Sequence, residues 1–462
     1  MALSADVKLH QLTVVEAARA IAQGDLSPVD YLEALLERIH RLDSKVQAWS
    51  GLDIEGARAQ AGQLAEEARA GRLRGPLHGI PTGVKEEFAV RGLADRSEPN
   101  LPPGPIQEED ATAVARLRAA GAIVLGKTYM PGRSGNPPTR NPWNLDHTAG
   151  GTSSGSGAAV GARMVPFTLG EQTFGSNLRP AAFCGVDGFK PSFGRVSRAG
   201  MWAFTYSQDH PGIIGLSVED LAVVLSAIAG PDPRDPTALD EPAPPAALEP
   251  SRVKPPRLGL VRNFFPERTE PAMQAAVDAA ASRLAAAGAS VESVQLPEEF
   301  GLVWHTHALV LAVEGASINA RKNAEAIAAG ERPTSFTSGT FGASRLGELV
   351  PSVYYLQAQR IRRRLRRVVS DFFREQRLDL LLTATAPGPA PRGLASTGNP
   401  ILLAPWSHLG LPALSLQSGE LSPEGLPLGI QLAAPPRADY DLLCAGAWVE
   451  SILGRLPAPP LS

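Results

Sequence analysis

The stretch from Thr148 to Pro180 decides how the chain is interpreted. It reads Thr148-Ala-Gly-Gly-Thr-Ser-Ser-Gly-Ser-Gly-Ala-Ala-Val160 and then, after a short apolar span, Leu169-Gly-Glu-Gln-Thr-Phe-Gly-Ser-Asn-Leu-Arg-Pro180. Glycine lets a backbone turn tightly and approach a ligand, and serine or threonine supplies a hydroxyl that donates, accepts or attacks. A flexible linker has a similar composition, but the apolar residues between the two runs favour burial. We therefore expect two loops that build a site.

The sequence on both sides alternates helices with short apolar strands. Thr13 and Glu16 have the spacing of a capping box at the start of a helix, and Ser27-Pro28 predicts the start of a second one. Ala122-Ile-Val-Leu125 follows a predicted helix and is typical of a buried strand. The pattern of strand, helix and strand returns between residues 258 and 296. This alternation predicts an α/β fold.

A proline-rich segment interrupts the alternation at residues 231–256. It contains nine prolines, which remove backbone donors and fix φ, so we expect an exposed connection without helix or strand. On composition alone, this connection could separate two domains.

Charge and composition disfavour some classes of partner. The net charge of −3 gives no overall basic field for nucleic acid or an anionic membrane. Six arginines between Arg360 and Arg367 are expected on a solvated or subunit-facing side of a helix. No window approaches the ~20 apolar residues of a membrane span, and Cys184 and Cys444 have no metal-ligand spacing. We predict a cytoplasmic protein with two buried thiols.

The familiar catalytic motifs find little support. We expect no Gly-x-Ser-x-Gly elbow between a strand and a helix with a later Asp and His to complete a triad, and Ser154-Gly-Ser-Gly157 has the composition of a loop. His305 and His307 could share one face of a strand, but no third metal ligand is apparent. What remains is a lysine with hydroxyls. Burial of Lys85 on an apolar strand would favour its neutral form and make it a base, although the residues alone favour a lysine that extends from the strand end to solvent.

Several motifs together resemble the amidase signature family, in order and spacing, across nearly the whole chain. They are Gly79-Ile-Pro-x-x-x-Lys85, Thr139-Arg-Asn-Pro-Trp-Asn144, Gly150-Gly-Thr-Ser-Ser-Gly-Ser156, Gly175-Ser-x-x-Arg-Pro180, Phe183-Cys-Gly-x-x-Gly-x-Lys-Pro191, Gly194-Arg-Val-Ser-Arg-x-Gly200 and Gly425-Leu-Pro-x-Gly-x-Gln431.

The resemblance implies one large α/β domain over residues 1–462, with a mixed central β-sheet flanked by helices. Its parts would be N-terminal helices at 1–70, a signature core at 71–230, a proline-rich surface linker at 231–256 and a second part of the α/β core at 257–462.

The resemblance also implies hydrolysis of an amide C–N bond without cofactor or metal. Ser176 matches the nucleophile and Lys85 the base of the family's Ser, cis-Ser, Lys triad. Thr152 stands where the family has the serine preceded by a cis peptide bond, and Ser153 matches the neighbouring serine. The oxyanion hole would use backbone amides of Thr173, Phe174, Gly175 and Ser176, with Gly151 beside the substrate.

Three positions depart from the family pattern. Thr152 adds a methyl group to the relay residue, Phe174 replaces the usual glycine, and Gly132 stands where many members carry an acidic residue. At Phe174 two interpretations stay open: a strained backbone if φ must be positive, or a ring that forms a wall of the substrate pocket.

Two other functions are considered beside hydrolysis. One is a weakly active or non-hydrolytic member with a role in binding or assembly. The other is the A subunit of a tRNA-dependent amidotransferase, which would use ammonia as acceptor and would need partner chains.

Within hydrolases, residues 355–363 and 207–210 are similar to the 1-carboxybiuret hydrolase branch, which would imply a small ureido or amide substrate and a small companion subunit. Trp202, Phe204, Tyr206 and Trp304 could instead line an apolar or aryl pocket. A homodimer is a further expectation.

Overall fold

The structure, a computed structural model, describes residues 8–94, 104–131, 138–328 and 346–461. Its helices are α1 Val14–Gln23, α2 Pro28–Val46, α3 Ile54–Arg69, α4 Thr112–Ala119, α5 Ser154–Gly161, α6 Leu178–Phe183, α7 Val218–Ile228, α8 Pro271–Ala286, α9 Leu302–Ala328, α10 Ser352–Glu375, α11 Ala404–Leu409 and α12 Asp439–Leu453. None of these described helices is long and apolar enough to cross a membrane.

The strands are β1 Trp49–Leu52, β2 Pro81–Lys85, β3 Ile123–Thr128, β4 Arg140–Asn141, β5 Asn144–Thr148, β6 Phe167–Gln172, β7 Asp187–Lys190, β8 His210–Gly215, β9 Arg257–Val261, β10 Ser290–Val294, β11 Leu380–Ala384, β12 Ala413–Leu421 and β13 Pro427–Ala433.

Eleven of the strands form one mixed sheet in the order β1-β3-β2-β6-β8-β7-β12-β13-β11-β9-β10. The strands β3, β2 and β6 run parallel to one another, as do β11, β9 and β10. The strands between these two groups pair antiparallel. Helices cover the sheet and bury its apolar side chains, so the predicted single α/β domain with a mixed central sheet is confirmed.

The two predicted N-terminal helices are confirmed together with their caps. The Thr13 hydroxyl accepts from the backbone N–H of Glu16, and the Glu16 carboxylate accepts from the backbone N–H of Thr13. The Ser27 hydroxyl accepts from the backbone N–H of Val29 at the start of α2. These helix starts are determined by local hydrogen bonds, which is why the sequence predicts them well.

The proline-rich segment 231–256 does not separate two domains. Strand β7, from before the segment, pairs with β12, from after it, so one sheet includes both halves of the chain. The expectation of an exposed connection is also wrong in part. Asp232 and Asp235 are buried: the Asp232 carboxylate accepts from the hydroxyls of Thr112 and Ser197, and Asp235 accepts from the backbone N–H of Arg198. These bonds hold the segment against the core.

The predicted loop at Ser154-Gly-Ser-Gly157 is instead the start of helix α5. Its glycines allow close packing rather than flexibility. A Cβ atom on Gly155 would lie 2.4 Å from both the carbonyl oxygen of Ala48 and the backbone nitrogen of Tyr129, and one on Gly157 would lie 2.8 Å from Pro180. Burial therefore overrides the weak helix propensity of glycine.

This packing predicts opposite effects for two glycine-to-alanine substitutions. Gly155→Ala should lower the free energy of unfolding by about 1–3 kcal/mol, because backbone atoms must move to admit the methyl group. Gly62→Ala in α3, where no atom lies within 4 Å of the added carbon, should raise it by about 0.5–1 kcal/mol. Urea unfolding followed by circular dichroism measures both. Equal stability of the two variants would contradict the close approach at α5.

Candidate active site

Lys85 lies at the carboxyl end of β2, the edge of a parallel group of strands where ligands commonly bind. Register places Val84 beside Leu169 of β6, so Glu171 on β6 comes close to the lysine. The fully buried Nζ atom lies 2.8 Å from Thr152 Oγ1, 2.9 Å from Glu171 Oε2 and 3.1 Å from Glu87 Oε1. Three oxygens thus surround the ammonium group.

The protonation of Lys85 differs from the sequence prediction. Burial alone lowers the pKa of Lys85, as expected, but the carboxyls of Glu171 and Glu87 outweigh burial and hold that pKa above its ordinary value. The expectation of a lysine made neutral by burial is therefore wrong for the resting site. The reason is that two acidic side chains accompany the lysine into the core.

Burial has the predicted effect at a different lysine. Lys190, in the motif that ends at Pro191, is fully buried and its Nζ donates to the carbonyl oxygens of Pro191 and Leu411. Burial lowers the pKa of Lys190 to about 7, against a smaller opposing effect of Asp439. The two lysines show that the neighbouring charge, more than depth, sets the protonation state.

The two glycine- and hydroxyl-rich segments lie side by side. Gly150 and Gly151 have φ of 88° and 63°, which favour glycine, and a Cβ on Gly151 would lie 2.8 Å from the carbonyl oxygen of Ser176. The backbone N–H of Ser153 donates to that same oxygen at 3.2 Å. These contacts place Thr152 next to Ser176. The peptide bond before Thr152 is trans, as are the others in the described residues.

The hydroxyls differ in how far they are engaged. Thr152 Oγ1 accepts from Lys85, whereas Ser153 Oγ donates to the carbonyl oxygen of Glu171 and accepts from its backbone N–H. Ser153 is thereby fixed to β6. The Ser176 side chain, 8% exposed, forms no hydrogen bond within the described part of the chain. Of the predicted hydroxyls, Ser176 is the one free to turn.

Residues 173–176 form the loop between β6 and α6. Within the described residues, no acceptor takes a hydrogen bond from the backbone N–H groups of Phe174, Gly175 and Ser176. Phe174 does not have a positive φ, so its backbone is unstrained, and its ring centroid lies 4.4 Å from that of His307. A Cβ on Gly175 would lie 2.7 Å from Leu403. Packing on both sides therefore fixes the direction of three backbone donors.

Sequence reasoning missed the acidic groups of the site. The Thr173 hydroxyl lies 2.7 Å from Glu171 Oε1 and 2.9 Å from Asp209 Oδ1, and thus links two buried carboxyls. Burial raises the pKa of Glu171 and raises that of Glu87 well above its ordinary value, although Lys85 opposes both shifts. The available signal was acidic residues inside apolar strand surroundings: Glu87 follows Lys85 by two positions, and Glu171 lies within the predicted site stretch.

The histidines are not where the sequence placed them. His305 and His307 lie on helix α9, not on a strand, so residues two positions apart point in different directions. His307 is buried beside Phe174 and His408, and burial near Arg362 lowers the pKa of His307 to about 3. Among the described residues, no group of three His, Cys, Asp or Glu side chains could hold a metal ion.

The aromatic candidates divide into core and site. Trp304 packs against Phe264, Phe265 and Phe300 and donates to the carbonyl oxygen of Ile401, so it belongs to the core. The Phe204 ring lies 6.0 Å from Lys85 Nζ and 6.4 Å from the ring of Trp202. Phe204 is therefore a wall of the site.

One arginine of the arginine-rich helix points into the protein rather than toward solvent. Arg362 on α10 is buried, and its guanidinium donates to the backbone and hydroxyl oxygens of Ser207 and to the carbonyl oxygen of His408. The expectation of a wholly solvated or subunit-facing arginine side is wrong for this residue, because α10 packs on the segment that leads into β8.

Cys184 and Cys444 are free buried thiols, as predicted, and Gly132 lies outside the described residues.

Comparison with known proteins agrees with this architecture. The family described as Amidase matches residues 30–443. The A subunit of the Glutamyl-tRNA(Gln) amidotransferase of Roseiflexus castenholzii is 36% identical over 471 residues, which cover 95% of each chain. The corresponding chain of Thermus thermophilus is 36% identical and covers 96% of this chain and 98% of its own.

Solved structures share the whole fold. A vestigial protein complex related to the origins of an s-triazine catabolic enzyme has a chain 31% identical, with a TM-score of 0.85 over 97% of this chain and 100% of its own. The native peptide amidase of Stenotrophomonas maltophilia is 29% identical, with a TM-score of 0.80 over 97% of this chain and 98% of its own. The chain belongs to the amidase signature family and is an amidase-type enzyme that acts on amide C–N bonds.

Proposed function

We propose that the protein hydrolyses a carboxylic amide or ureido C–N bond through an acyl-enzyme on Ser176. The observation that carries this proposal is the 2.8 Å hydrogen bond from Lys85 Nζ to Thr152 Oγ1, formed directly beside the loop of Ser176. It supports a proton route from the nucleophile through a hydroxyl to an amine, in which no histidine takes part. Gly151 supports the route by letting the two loops meet.

The reaction begins when Ser176 Oγ turns toward Thr152 and attacks the carbonyl carbon of the substrate. The Ser176 proton passes to Thr152 Oγ1 as the Thr152 proton passes to Lys85. Backbone N–H groups of Phe174, Gly175 and Ser176, in the loop that begins at Thr173, stabilise the oxyanion. The same route returns the proton to the leaving nitrogen, and water then hydrolyses the acyl-enzyme. Ser153 holds the loop against β6 and takes no proton.

Four variants test this relay. Ser176→Ala and Lys85→Met should abolish turnover of a panel of aliphatic, aryl and ureido amides, and Ser176→Ala should abolish labelling by a fluorophosphonate probe. Thr152→Ser keeps the hydroxyl and should retain turnover, whereas Thr152→Val, of nearly the same shape, should lose about 10²-fold or more. Full activity in Thr152→Val would remove Thr152 from the route, and labelling of Ser176→Ala would remove Ser176 as nucleophile.

A second candidate function is that of an amidotransferase A chain, which the similarity to the A subunit of Glutamyl-tRNA(Gln) amidotransferase favours. The net charge of −3 gives no support for tRNA contact by the chain itself. We expect the purified chain alone to hydrolyse small amides and to leave tRNA unshifted in gel electrophoresis at low salt. Activity that appears only after B- and C-type partner chains are added would favour the amidotransferase instead.

Further proposals are a homodimer, a cytoplasmic location and a small companion subunit. The similarity to a chain of a vestigial complex and to one chain of an amidotransferase supports association with another chain. Light scattering measures the assembly directly, both for the protein purified alone and for the protein co-expressed with small proteins encoded beside it. A weakly active member with a binding role stays the alternative if no amide of the panel is hydrolysed.

A further inference from the structure

Lys85 must lose a proton before it can accept one from Thr152, and the buried acids around it are candidate acceptors. An ammonium group cannot accept the proton of Thr152, and the two acids hold Lys85 in that charged form. A proton must therefore leave Lys85 before or as the Ser176 proton arrives. The acceptor has to lie within hydrogen-bond distance of Nζ, because water has no access to a lysine that is 0% exposed.

Both Glu171 and Glu87 lie within this distance, but of the two only Glu171 accepts a hydrogen bond from Lys85. Lys85 Nζ donates to Glu171 Oε2 at 2.9 Å in a formed hydrogen bond. Glu87 Oε1 lies 3.1 Å away, but neither oxygen of Glu87 has a hydrogen-bond partner among the described residues. The two carboxyls thus differ in alignment rather than in distance, and a proton moves readily only along an aligned bond.

The other oxygen of Glu171 faces a hydroxyl that can follow a change of protonation. Thr173 has one hydroxyl hydrogen for two carboxyls, Glu171 Oε1 at 2.7 Å and Asp209 Oδ1 at 2.9 Å. Asp209 also accepts from the backbone N–H groups of Phe204 and Thr205 and from the Thr205 hydroxyl. Thr173 can therefore donate to an ionised Glu171, or accept from a protonated one while it donates to Asp209.

We propose that Glu171 is the terminal proton acceptor of the relay that begins at Ser176. This proposal rests on the proposed function. The Lys85 ammonium gives one proton to the Glu171 carboxylate, which leaves an amine and a carboxylic acid without a change in total charge. Lys85 then takes the Thr152 proton while Thr152 takes the Ser176 proton, and Ser176 Oγ bonds to the carbonyl carbon. The extra proton on the Lys85 and Glu171 pair returns along the same route to the leaving nitrogen when the C–N bond breaks.

The electrostatic surroundings favour this transfer. Burial disfavours both charged groups of the pair, so the neutral amine with a neutral acid lies closer in free energy to the ion pair than it would in water. Among the described residues, the titratable groups that act on Glu171 are Lys85 from β2, Glu87 after β2 and Asp209 before β8. Burial, aided by Asp209, raises the pKa of Glu171 against the effect of Lys85, which makes it a better acceptor.

Glu87 provides the comparison because it faces the same ammonium group without an aligned hydrogen bond. Its pKa is raised well above the ordinary value, so the folded protein keeps a proton that the unfolded chain releases, and its contribution to stability is lost as pH rises above about 4.5. The glutamine in Glu87→Gln does not titrate, so this variant lacks that pH-dependent contribution. We expect the folding equilibrium constant of Glu87→Gln to equal that of the wild type at pH 4. At higher pH the constant of the variant should exceed that of the wild type, by at most about tenfold per pH unit. Urea unfolding at pH 4, 6 and 8 measures this, and a constant difference contradicts it.

The test compares Glu171→Gln with Glu87→Gln in the full-length protein. The readouts are the rate of labelling by a fluorophosphonate probe and the turnover of amides, each from pH 5 to 10. We expect Glu171→Gln to lose about 100-fold or more in both rates at every pH, and Glu87→Gln to lose much less, because it keeps the aligned acceptor at Glu171. If Glu171→Gln reacts as fast as the wild type or faster, Glu171 only holds Lys85 charged and the proposal is overturned.

A second comparison serves if Glu171→Gln does not fold, as judged by thermal melting. Thr173→Val removes the hydroxyl that favours ionised Glu171, so the pH at which the labelling rate rises should move upward relative to Thr173→Ser; an unchanged midpoint overturns the proposal. Failure of the proposed function is separately visible, because the wild type would then not be labelled or Ser176→Ala would retain turnover. A labelled wild type with an active Glu171→Gln instead refutes the terminal acceptor alone.

Discussion

A buried ammonium group needs both acceptors and opposite charge, and much of the site follows from that need at Lys85. Without partners, the desolvation of such a group costs several kcal/mol. The parallel strands β2 and β6 place Lys85 and Glu171 at one edge of the sheet, and the loop after β5 adds the Thr152 hydroxyl. The same interactions that make the lysine tolerable in the core connect it to the hydroxyl that it serves.

The second requirement is close approach between the two loops. Gly150 and Gly151 adopt backbone angles that favour glycine, and Gly155 and Gly157 let α5 contact the backbone of neighbouring segments. A side chain on Gly151 would meet the backbone of Ser176, and side chains on the other three would meet neighbouring segments of the core. The glycines of the stretch are therefore part of a rigid arrangement, which is what a route of short proton transfers requires. The unstrained backbone of Phe174 extends this rigidity into the loop of free amides.

Local patterns, such as caps and the alternation of helices with apolar strands, predicted the N-terminal helices and the α/β class. The pairing of Lys85 with Thr152 was implied only by the resemblance to the family, since no local pattern reports a contact between residues so far apart in sequence. Sequence reasoning failed where the outcome depends on distant residues. The helical state of residues 154–157 depends on packing against Ala48 and Tyr129, and the inward turn of Arg362 depends on Ser207. His307 was expected on a strand but lies on helix α9, because two histidines in a short segment do not distinguish the periodicity of a helix from that of a strand. The placement of Ser176 as nucleophile stays a prediction.

The protonation of Lys85 shows that a sequence motif does not determine the charge state of its lysine. Lys85 and Lys190 are both fully buried, both lie in motifs of the family and both end strands of the same sheet. Yet the pKa of Lys190 falls to about 7, whereas that of Lys85 rises, because two carboxyls face Lys85 and carbonyl oxygens bind Lys190. A base at position 85 must therefore be understood together with its acids. Since the charge of the pair is conserved when the proton moves from nitrogen to oxygen, the pair can alternate between two forms that a lone lysine in the same core could not reach at equal cost.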